Sequence, residues 1–474
     1  MRVTEGGGAA NAERRGPPAE LPPRTKRVLD LIEADPEGRL RLRGENSGLD
    51  GLALRPDALR ARLDPVGPTP PWWDAEHGVA NLRHAECRGA SVSRADFGGA
   101  VLAGADFTGA TLRSAAFRGC FIEQALFDQA DMSGADLRDV AAGQASFRDA
   151  MLEDARFGNA TMRFAVLTGA VLDGADFQKA DLWGAKLERV DAAYAVFRDA
   201  RLDEADLRDA ALGGADLSGA SLKKADLSGA SLRGADLERV VLAGAKLAGA
   251  DLTGASLPRV VLSNCDIAHV RLAGAWLDGT RFGVEQLGGM VGEERDRDFA
   301  AARDAYLNLE KNFRGLGERD AGRWCYRKAR RMGKLRAWSE IGAGWRARDA
   351  HRAWGGLVRS ASDFFVEQLC DYGESLTRVV RAFLGIMLAF ALYYGLAGSL
   401  VHGSDAPGSA PGVVVTDPGE LITFSLLTMT TAGPPEIGLK AKTTGVYLIA
   451  GLQGALGTAL IGLFGYVLGN RIRR

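Results

Sequence analysis

The chain of 474 residues has little of what marks most enzymes and secreted domains. Its 5 cysteines are an odd number without CxxC spacing, which excludes a disulfide framework and points to a reducing compartment. The 5 histidines (His77, His84, His269, His351 and His402) are scattered singly, so no metal site is expected from them. There is no GxxxxGK[ST], no GxGxxG after a strand, no HExxH and no nucleophile elbow, so an enzyme is not expected, and no cofactor is implied. A formal net charge of −1 removes the bulk positive field of a dedicated nucleic-acid binder. No apolar stretch follows Met1, which argues against a cleaved secretory signal. A chain of this length exceeds one core, so several domains are expected.

What the chain does have is a period of five from Ala80 to about Val284, as in Ala95-Asp-Phe-Gly-Gly, Ala105-Asp-Phe-Thr-Gly, Ala215-Asp-Leu-Ser-Gly and Ala235-Asp-Leu-Glu-Arg. A Leu or Phe recurs at 82, 97, 102, 107 and onward to Phe282, with Ala two places before nearly every one. The phase holds for about 41 units. On a helix each Leu would turn by about 140° from the last and form no stripe. On a flat strand successive Leu residues would alternate faces. A coil that turns a corner every five residues sends both Leu and Ala inward. Gly often closes the unit, as at Gly99, Gly104, Gly109, Gly219 and Gly229, where a tight turn needs a permissive backbone. Cys120 and Cys265 share the inward Ala phase and read as small core residues. Val140 and Val190 replace that Ala, and the centres beside them shrink to Ala142 and Ala192, as close packing requires. Val240 and Val260 keep Leu centres.

The A-(D/N/S/T)-L-x-x run resembles the pentapeptide-repeat family over about 205 residues. That resemblance implies a right-handed quadrilateral β-helix of about four pentapeptides per coil and about ten coils, a rod about 50 Å long. The chain then divides into 1–79 (a disordered tail and an N-terminal cap), 80–284 (the β-helix), 285–375 (a helical hairpin with a basic interfacial region) and 376–474 (a two-transmembrane pore domain). The cap, from Lys26 to about Asp64, covers strand edges that an open coil end would expose. Trp72 and Trp73 either plug that end or pack on its side.

Family members that mimic DNA and protect topoisomerases are densely acidic rods. This rod carries both signs on its outer face, with an acidic excess of only about five charges, so a spacer or docking rod without nucleic acid is expected. Glu153, Asp154, Asp203 and Glu204 are outward pairs without acid/base spacing.

Beyond the rod, Phe299, Ala302, Tyr306, Leu309 and Phe313 share one helical face, Gly315 and Gly317 break it, and a second helix begins near Asp320. A basic stretch follows, including Arg327, Lys328, Arg330 and Arg331, interleaved with Trp324, Trp338, Trp345 and Trp354. Basic helices carrying Trp lie at membrane surfaces, which makes membrane lipids expected partners.

Ala382 to Val401 is free of charge, about the length of one bilayer span, and a second apolar run extends from Thr443 or Thr444 to Asn470. Arg378 and Arg381 precede the first, and Arg471, Arg473 and Arg474 follow the second. The positive-inside rule gives a two-pass protein of the cell (inner) membrane with both termini cytoplasmic. Between the spans, Asp417-Pro-Gly-Glu420 starts a helix too short to cross, followed by Thr428-Met-Thr-Thr-Ala-Gly-Pro-Pro-Glu436. A short helix that enters and exits on one face is a re-entrant loop, tolerated only where protein or water surrounds it.

This arrangement resembles the two-transmembrane potassium-channel family over about the last 100 residues. Thr431-Ala432-Gly433 takes the place of T-V-G in the filter TVGYG, with Thr430 before it, Pro434 for Tyr, Pro435 for the second Gly and Glu436 at the outer mouth. Proline fixes φ, so the resemblance implies a degenerate filter with weak selectivity for K+ over Na+ as the permeant monovalent cation. One hairpin cannot enclose a pore, so a homotetramer is implied. The rod would then gate the pore or dock a cytoplasmic protein or small ligand. The alternative is a non-conducting membrane-anchored scaffold that binds a protein partner.

Overall fold

The computed structural model describes residues 22–42, 49–54, 56–60, 63, 68–346, 376–403, 412–431 and 438–472. They fall into two compact units, Met1–Gly333 and Lys334–Arg474.

The first unit is built on the coil that the five-residue period demands. Parallel bridges join residues twenty apart, one from each pentapeptide, as in Met151 to Val171 and Val171 to Asp191, so four pentapeptides complete one turn. Each unit makes a corner: Ala155 N–H donates to Leu152 O (3.1 Å), and Asp154 between them has φ 55°. A left-handed φ at the second central residue is what a type II turn requires, which explains why Gly is common there. The Asp before each central Leu has its own use, because its carboxylate accepts the N–H two residues on, as in Asp176 with Gln178 (2.9 Å) and Asp236 with Glu238 (2.9 Å). This Asx turn holds the corner from the side-chain end.

Inside, phenylalanines twenty residues apart stack face to face. Phe107, Phe127 and Phe147 have centroids 5.3 and 5.1 Å apart, and Phe157, Phe177 and Phe197 repeat the pattern at 4.6 and 5.0 Å. Val140 and Val190 are buried beside Ala142 and Ala192, as their volume exchange predicts, and Cys120 and Cys265 are buried on the same inward phase.

The N-terminal cap is more regular than its sequence suggests. Helix α1 (Pro23–Ala34) buries Val28, Leu29 and Ile32, and α2 (Pro56–Arg60) follows. Between them the chain adds an extra rung: Arg41 bridges Glu86 and Ala53 bridges Asp96 in the same parallel sense as the coils. The exposed edge of the first coil is thereby paired. Trp73 and Asp74 (β1) pair antiparallel with Val79 and Ala80 (β2). Both Trp72 and Trp73 are buried, and Trp72 Nε1 donates to Glu33 Oε1 (2.6 Å), so the pair belongs to the cap rather than to an outer side.

Burial would raise the Asp74 carboxyl, but the His77 N–H, the Arg83 guanidinium and the His77 ring outweigh it and hold the group at about 2. The folded pKa lies below the unfolded value of about 3.9, so this stabilisation is present above about pH 4 and is lost as pH falls through about 2. An acid titration of Asp74→Asn against the parent protein should therefore diverge above that window and converge below it.

At the far end of the rod, a 3-10 turn (Val284–Leu287), α3 (Gly292–Arg295), α4 (Phe299–Gly315) and α5 (Arg319–Arg346) follow the last coil. The face of α4 read from the sequence is the buried one, with Ala302, Tyr306, Leu309 and Phe313 inside. Phe313 meets Phe282 of the last coil at 5.1 Å, and Asn312 Nδ2 donates to Thr280 O (2.8 Å). Glu293 is buried, and its Oε1 accepts the open-edge N–H groups of Leu272 (2.7 Å) and Ala273 (2.6 Å). Burial pushes that carboxyl up from its ordinary value against the pull of these bonds. Glu293→Ala orphans one buried and one part-buried donor and should cost about 1–3 kcal/mol in a urea melt, while Glu293→Gln, which keeps an acceptor, should cost less.

The second unit contains α6 (Leu376–Leu396), β3 (Leu400–His402), α7 (Pro418–Thr431), β4 (Leu439–Ala441) and α8 (Thr444–Ile472). The first long helix differs from the span read off the sequence. It begins before Arg378 and Arg381, because arginines are good helix formers, and it stops at Leu396 rather than Val401. The stop is a Schellman motif: Gly398 has φ 55° and donates to Gly395 O, and Ser399 N–H donates to Tyr394 O. α7 starts as expected, with Pro418 in its first turn and Asp417 Oδ2 accepting Glu420 N–H (3.0 Å).

Both ends of the segment that carries α7 attach to one strand. Val414 bridges Val401, and Leu439 pairs with His402. Val379 packs with Val467, Met387 with Leu460, and Ala391 with Val446, so α6 and α8 run antiparallel with α7 against both.

Candidate functional site

The site is the three-helix arrangement around α7. Each neighbour of α7 offers a glycine where it comes closest. A Cβ on Gly395 of α6 would lie 2.9 Å from Leu421 Cδ1, and one on Gly457 of α8 would lie 2.2 Å from Met429 O. The second approach is backbone to backbone, which only glycine permits.

A buried polar chain then ties the three helices together. Tyr394 Oη of α6 donates to Gln453 Oε1 of α8 (2.8 Å). Gln453 Nε2 donates to Ser425 O (3.0 Å) and Ser425 Oγ (2.6 Å) of α7, and Ser425 Oγ donates to Met387 O of α6 (2.7 Å). Tyr394, Ser425 and Gln453 are fully buried. Sequence reasoning missed this chain. Its signal was present: Gln453 is the one amide in the apolar run from Gly445 to Gly469, and a strongly polar group there demands a partner.

The expected filter residues divide. Thr430 and Thr431 form the last turn of α7, and their hydroxyls donate back to Leu426 O and Leu427 O. A threonine hydroxyl satisfied by the carbonyl four residues back is compatible with continued helix, and α7 runs to Thr431. The last carbonyls of α7 give its C-terminal end a partial negative charge. Ala432, Gly433, Pro434, Pro435 and Glu436 lie outside the described residues. Near the start of α7, His402 Nε2 lies 3.6 Å from Glu420 Oε2.

The basic residues read as membrane-facing also divide. Arg327 and Arg331 are exposed, and Arg330 reaches Tyr326 Oη (3.0 Å). Lys328 is a correction: it bonds Glu294 Oε2 at 3.0 Å and lies over the rings of Tyr306 and Trp324, inside the C-terminal cap rather than toward lipid. Cap burial captures the ammonium because Glu294 and two aromatic faces neutralise it there. Arg378 and Arg381 sit in the first turns of α6, Arg471 lies in α8, and Arg473 and Arg474 lie outside the described residues.

On the rod, many carboxylates are matched by a guanidinium from the neighbouring coil, as in Arg163–Asp181 (2.6 Å) and Arg198–Asp216. Asp203 accepts Lys223 N–H (3.0 Å), a bond between coils rather than an acid/base position. Asp74, Glu76 and His77 bring three ligand-type atoms within 4.8 Å of one another, a grouping the sequence reading did not single out. Arg83 occupies Asp74 Oδ2 there, so the group reads as an internal ion pair.

Two helices are long and apolar enough to cross a membrane, Leu376–Leu396 and Thr444–Gly469, and 22% and 33% of their apolar windows are buried within the chain. A core helix of a soluble protein would be mostly covered. Instead Val380, Leu384, Leu388, Leu392 and Leu396 form an exposed ridge along α6, and Leu448 and Leu452 are exposed on α8.

The pentapeptide-repeat family model matches residues 80–283 in eight copies. Among solved structures, HetL, a pentapeptide repeat protein involved in heterocyst differentiation regulation from the cyanobacterium Nostoc, is 31% identical, with 42% of this chain and 88% of that one covered and a TM-score of 0.32. QnrB1, a plasmid-mediated fluoroquinolone resistance protein, is 18% identical over 46% of this chain and 93% of that one, with a TM-score of 0.21. Rfr23 from the cyanobacterium Cyanothece is 30% identical over 22% and 60%, with a TM-score of 0.12. No curated protein matches the chain.

Proposed function

The chain belongs to the pentapeptide-repeat family, and from that premise we propose that it is a membrane protein in which about four identical copies surround a cation path, each contributing a coiled rod on the cytoplasmic side. One observation carries the reading. The segment holding α7 leaves and rejoins the same strand, with Val414 and Leu439 both paired to β3, beside two long helices whose apolar faces are uncovered. In a bilayer, a segment that enters and leaves on one face is tolerated only around a protein-lined or hydrated axis. The negative end of α7 and the carboxylate of Glu436 favour a cation there, K+ or Na+. Pro434 and Pro435 exclude glycine geometry, so discrimination between the two is weak.

Arg378, Arg381 and Arg471 lie at the ends of α6 and α8 remote from β3, and Arg473 and Arg474 follow in the sequence, which supports a cytoplasmic position for both termini in a two-pass inner-membrane topology. Lipids would then contact the α6 ridge, and the rod would hold a cytoplasmic protein or small ligand. The helical state of Thr430 and Thr431 favours a second reading, a non-conducting anchor for a docking rod. Cysteine accessibility separates inside from outside for either reading. Val413 is exposed beside β3, and the thiol of Val413→Cys should react with a membrane-impermeant reagent added outside intact cells. Cation flux through the purified protein separates the two readings.

A further inference from the structure

The inward alanine column of the rod carries valine in two consecutive coils, at Val240 and Val260. Each valine adds two methyl groups to a position packed for one, and overfilling a close-packed interior is destabilising unless volume is removed nearby. The molecule contains its own control. Val140 and Val190 are relieved by Ala142 and Ala192, and the bonds to the next coil persist beside them. Ala142 N–H donates to Thr161 O (2.8 Å) and Thr161 N–H to Val140 O (2.8 Å), while Ala192 N–H donates to Ala211 O (2.8 Å) and Ala211 N–H to Val190 O (2.9 Å).

Beside Val240 and Val260 the centres remain Leu242 and Leu262. The bonds from Val260 to the coil after it are made, with Leu262 N–H donating to Arg281 O (2.8 Å) and Arg281 N–H to Val260 O (2.9 Å), but between the two valine-bearing coils, among the described residues, the equivalent bonds are not. Leu242 N–H does not reach Val261 O, and Val261 N–H does not reach Val240 O. The flanking backbone donors of Arg239 and Gly244 find no backbone acceptor among the described residues on the same side. No bridge joins Val241 to Val261, although Ser221 bridges Val241 and Val261 bridges Arg281. The remaining sides of this step are intact, as in Leu247 N–H to Asp266 O (2.7 Å) and Ser256 N–H to Ala235 O (2.9 Å). The ladder is therefore open along one side only, where Val241 and Val261 are 41% and 55% exposed.

We propose that this one-sided seam is a hinge built into the rod. The coils up to Val241 and the terminal coils from Pro258, which carry the C-terminal cap, separate reversibly along the Val240–Val260 side while the opposite side stays paired. Solenoid stability is a sum of neighbour interfaces, so a single weak step divides the rod into two cooperative parts. This inference rests on the rod alone and stands or falls independently of conduction.

Hydrogen exchange read by mass spectrometry on the full-length protein in detergent tests it. Amides of Arg239, Leu242, Gly244 and Val261 should exchange at least about tenfold faster than those of Leu222 and Lys224 one coil away. Val240→Ala with Val260→Ala restores the consensus alanine and should remove that difference. Leu242→Ala with Leu262→Ala, which copies the relief found at Ala142 and Ala192, should slow the same amides. Equal protection at Leu242 and Leu222 in the parent protein overturns the proposal. So does unchanged exchange at the seam in the folded Val240→Ala, Val260→Ala variant.

Discussion

Phe127→Ala is expected to destabilise the rod by about 3–5 kcal/mol. Phe127 is fully buried between Phe107 and Phe147, with Phe117 edge-on at 5.7 Å. The substitution removes the apolar area of one ring and also the stacking of two ring pairs, each worth about 0.5–1.5 kcal/mol beyond area. The coil cannot collapse onto the vacancy, because its backbone is fixed above and below by bonds such as Phe127 N–H to Ser146 O (2.7 Å). Leu126 is the matched control, one residue earlier on the outer face and 37% exposed. Leu126→Ala should stay within about 0.5 kcal/mol. Urea unfolding followed by circular dichroism checks both, with exchange of the neighbouring coils to confirm that the loss is local. Similar costs at the two positions would contradict a five-residue period that sends one residue in and the next out.

The second large effect is expected at Gly457. An alanine there places its Cβ 2.2 Å from Met429 O and 2.6 Å from Met429 Cα, and neither can move without shifting α7 itself. Overpacking of this kind costs about 1–3 kcal/mol and more where backbone must yield. The displacement would also pull Ser425 away from Gln453 and leave buried polar groups unpaired, which adds to the loss. Gly462 lies in the same helix with nothing within 4 Å, so Gly462→Ala should be neutral or stabilising by up to about 1 kcal/mol through helix propensity. Thermal unfolding in detergent distinguishes the two. A Gly457→Ala protein as stable as Gly462→Ala would mean that α7 does not lie on α8 as described.

How much of this was legible beforehand depends on whether a residue acts through pattern or through a distant partner. The coil was readable because its period repeats, so each unit confirms the phase of the last. Face assignments on α4 followed the same logic, and Ala302 to Phe313 packed as their spacing implies. The rung from Arg41 to Ala53 was hidden, since those residues do not follow the five-residue spacing and pair with coils more than forty positions away. Lys328 read as an interfacial cation because its neighbours in sequence are basic, yet its partner is Glu294, thirty-four residues earlier. The end of α6 was misplaced because hydropathy counts charges, whereas the helix stops where Gly398 takes a left-handed φ. Val240 and Val260 stood out as exceptions to the volume exchange, but their consequence needed the hydrogen bonds.

Ion flux by the purified full-length protein in liposomes of defined lipid tests the central claim most directly. With a K+ gradient and a potential-sensitive dye, the account predicts flux that depends on inserted protein, persists with Na+ in place of K+ at comparable rate, and is lost in Gly457→Ala. Inserted, folded protein that passes neither cation in any gradient would contradict it.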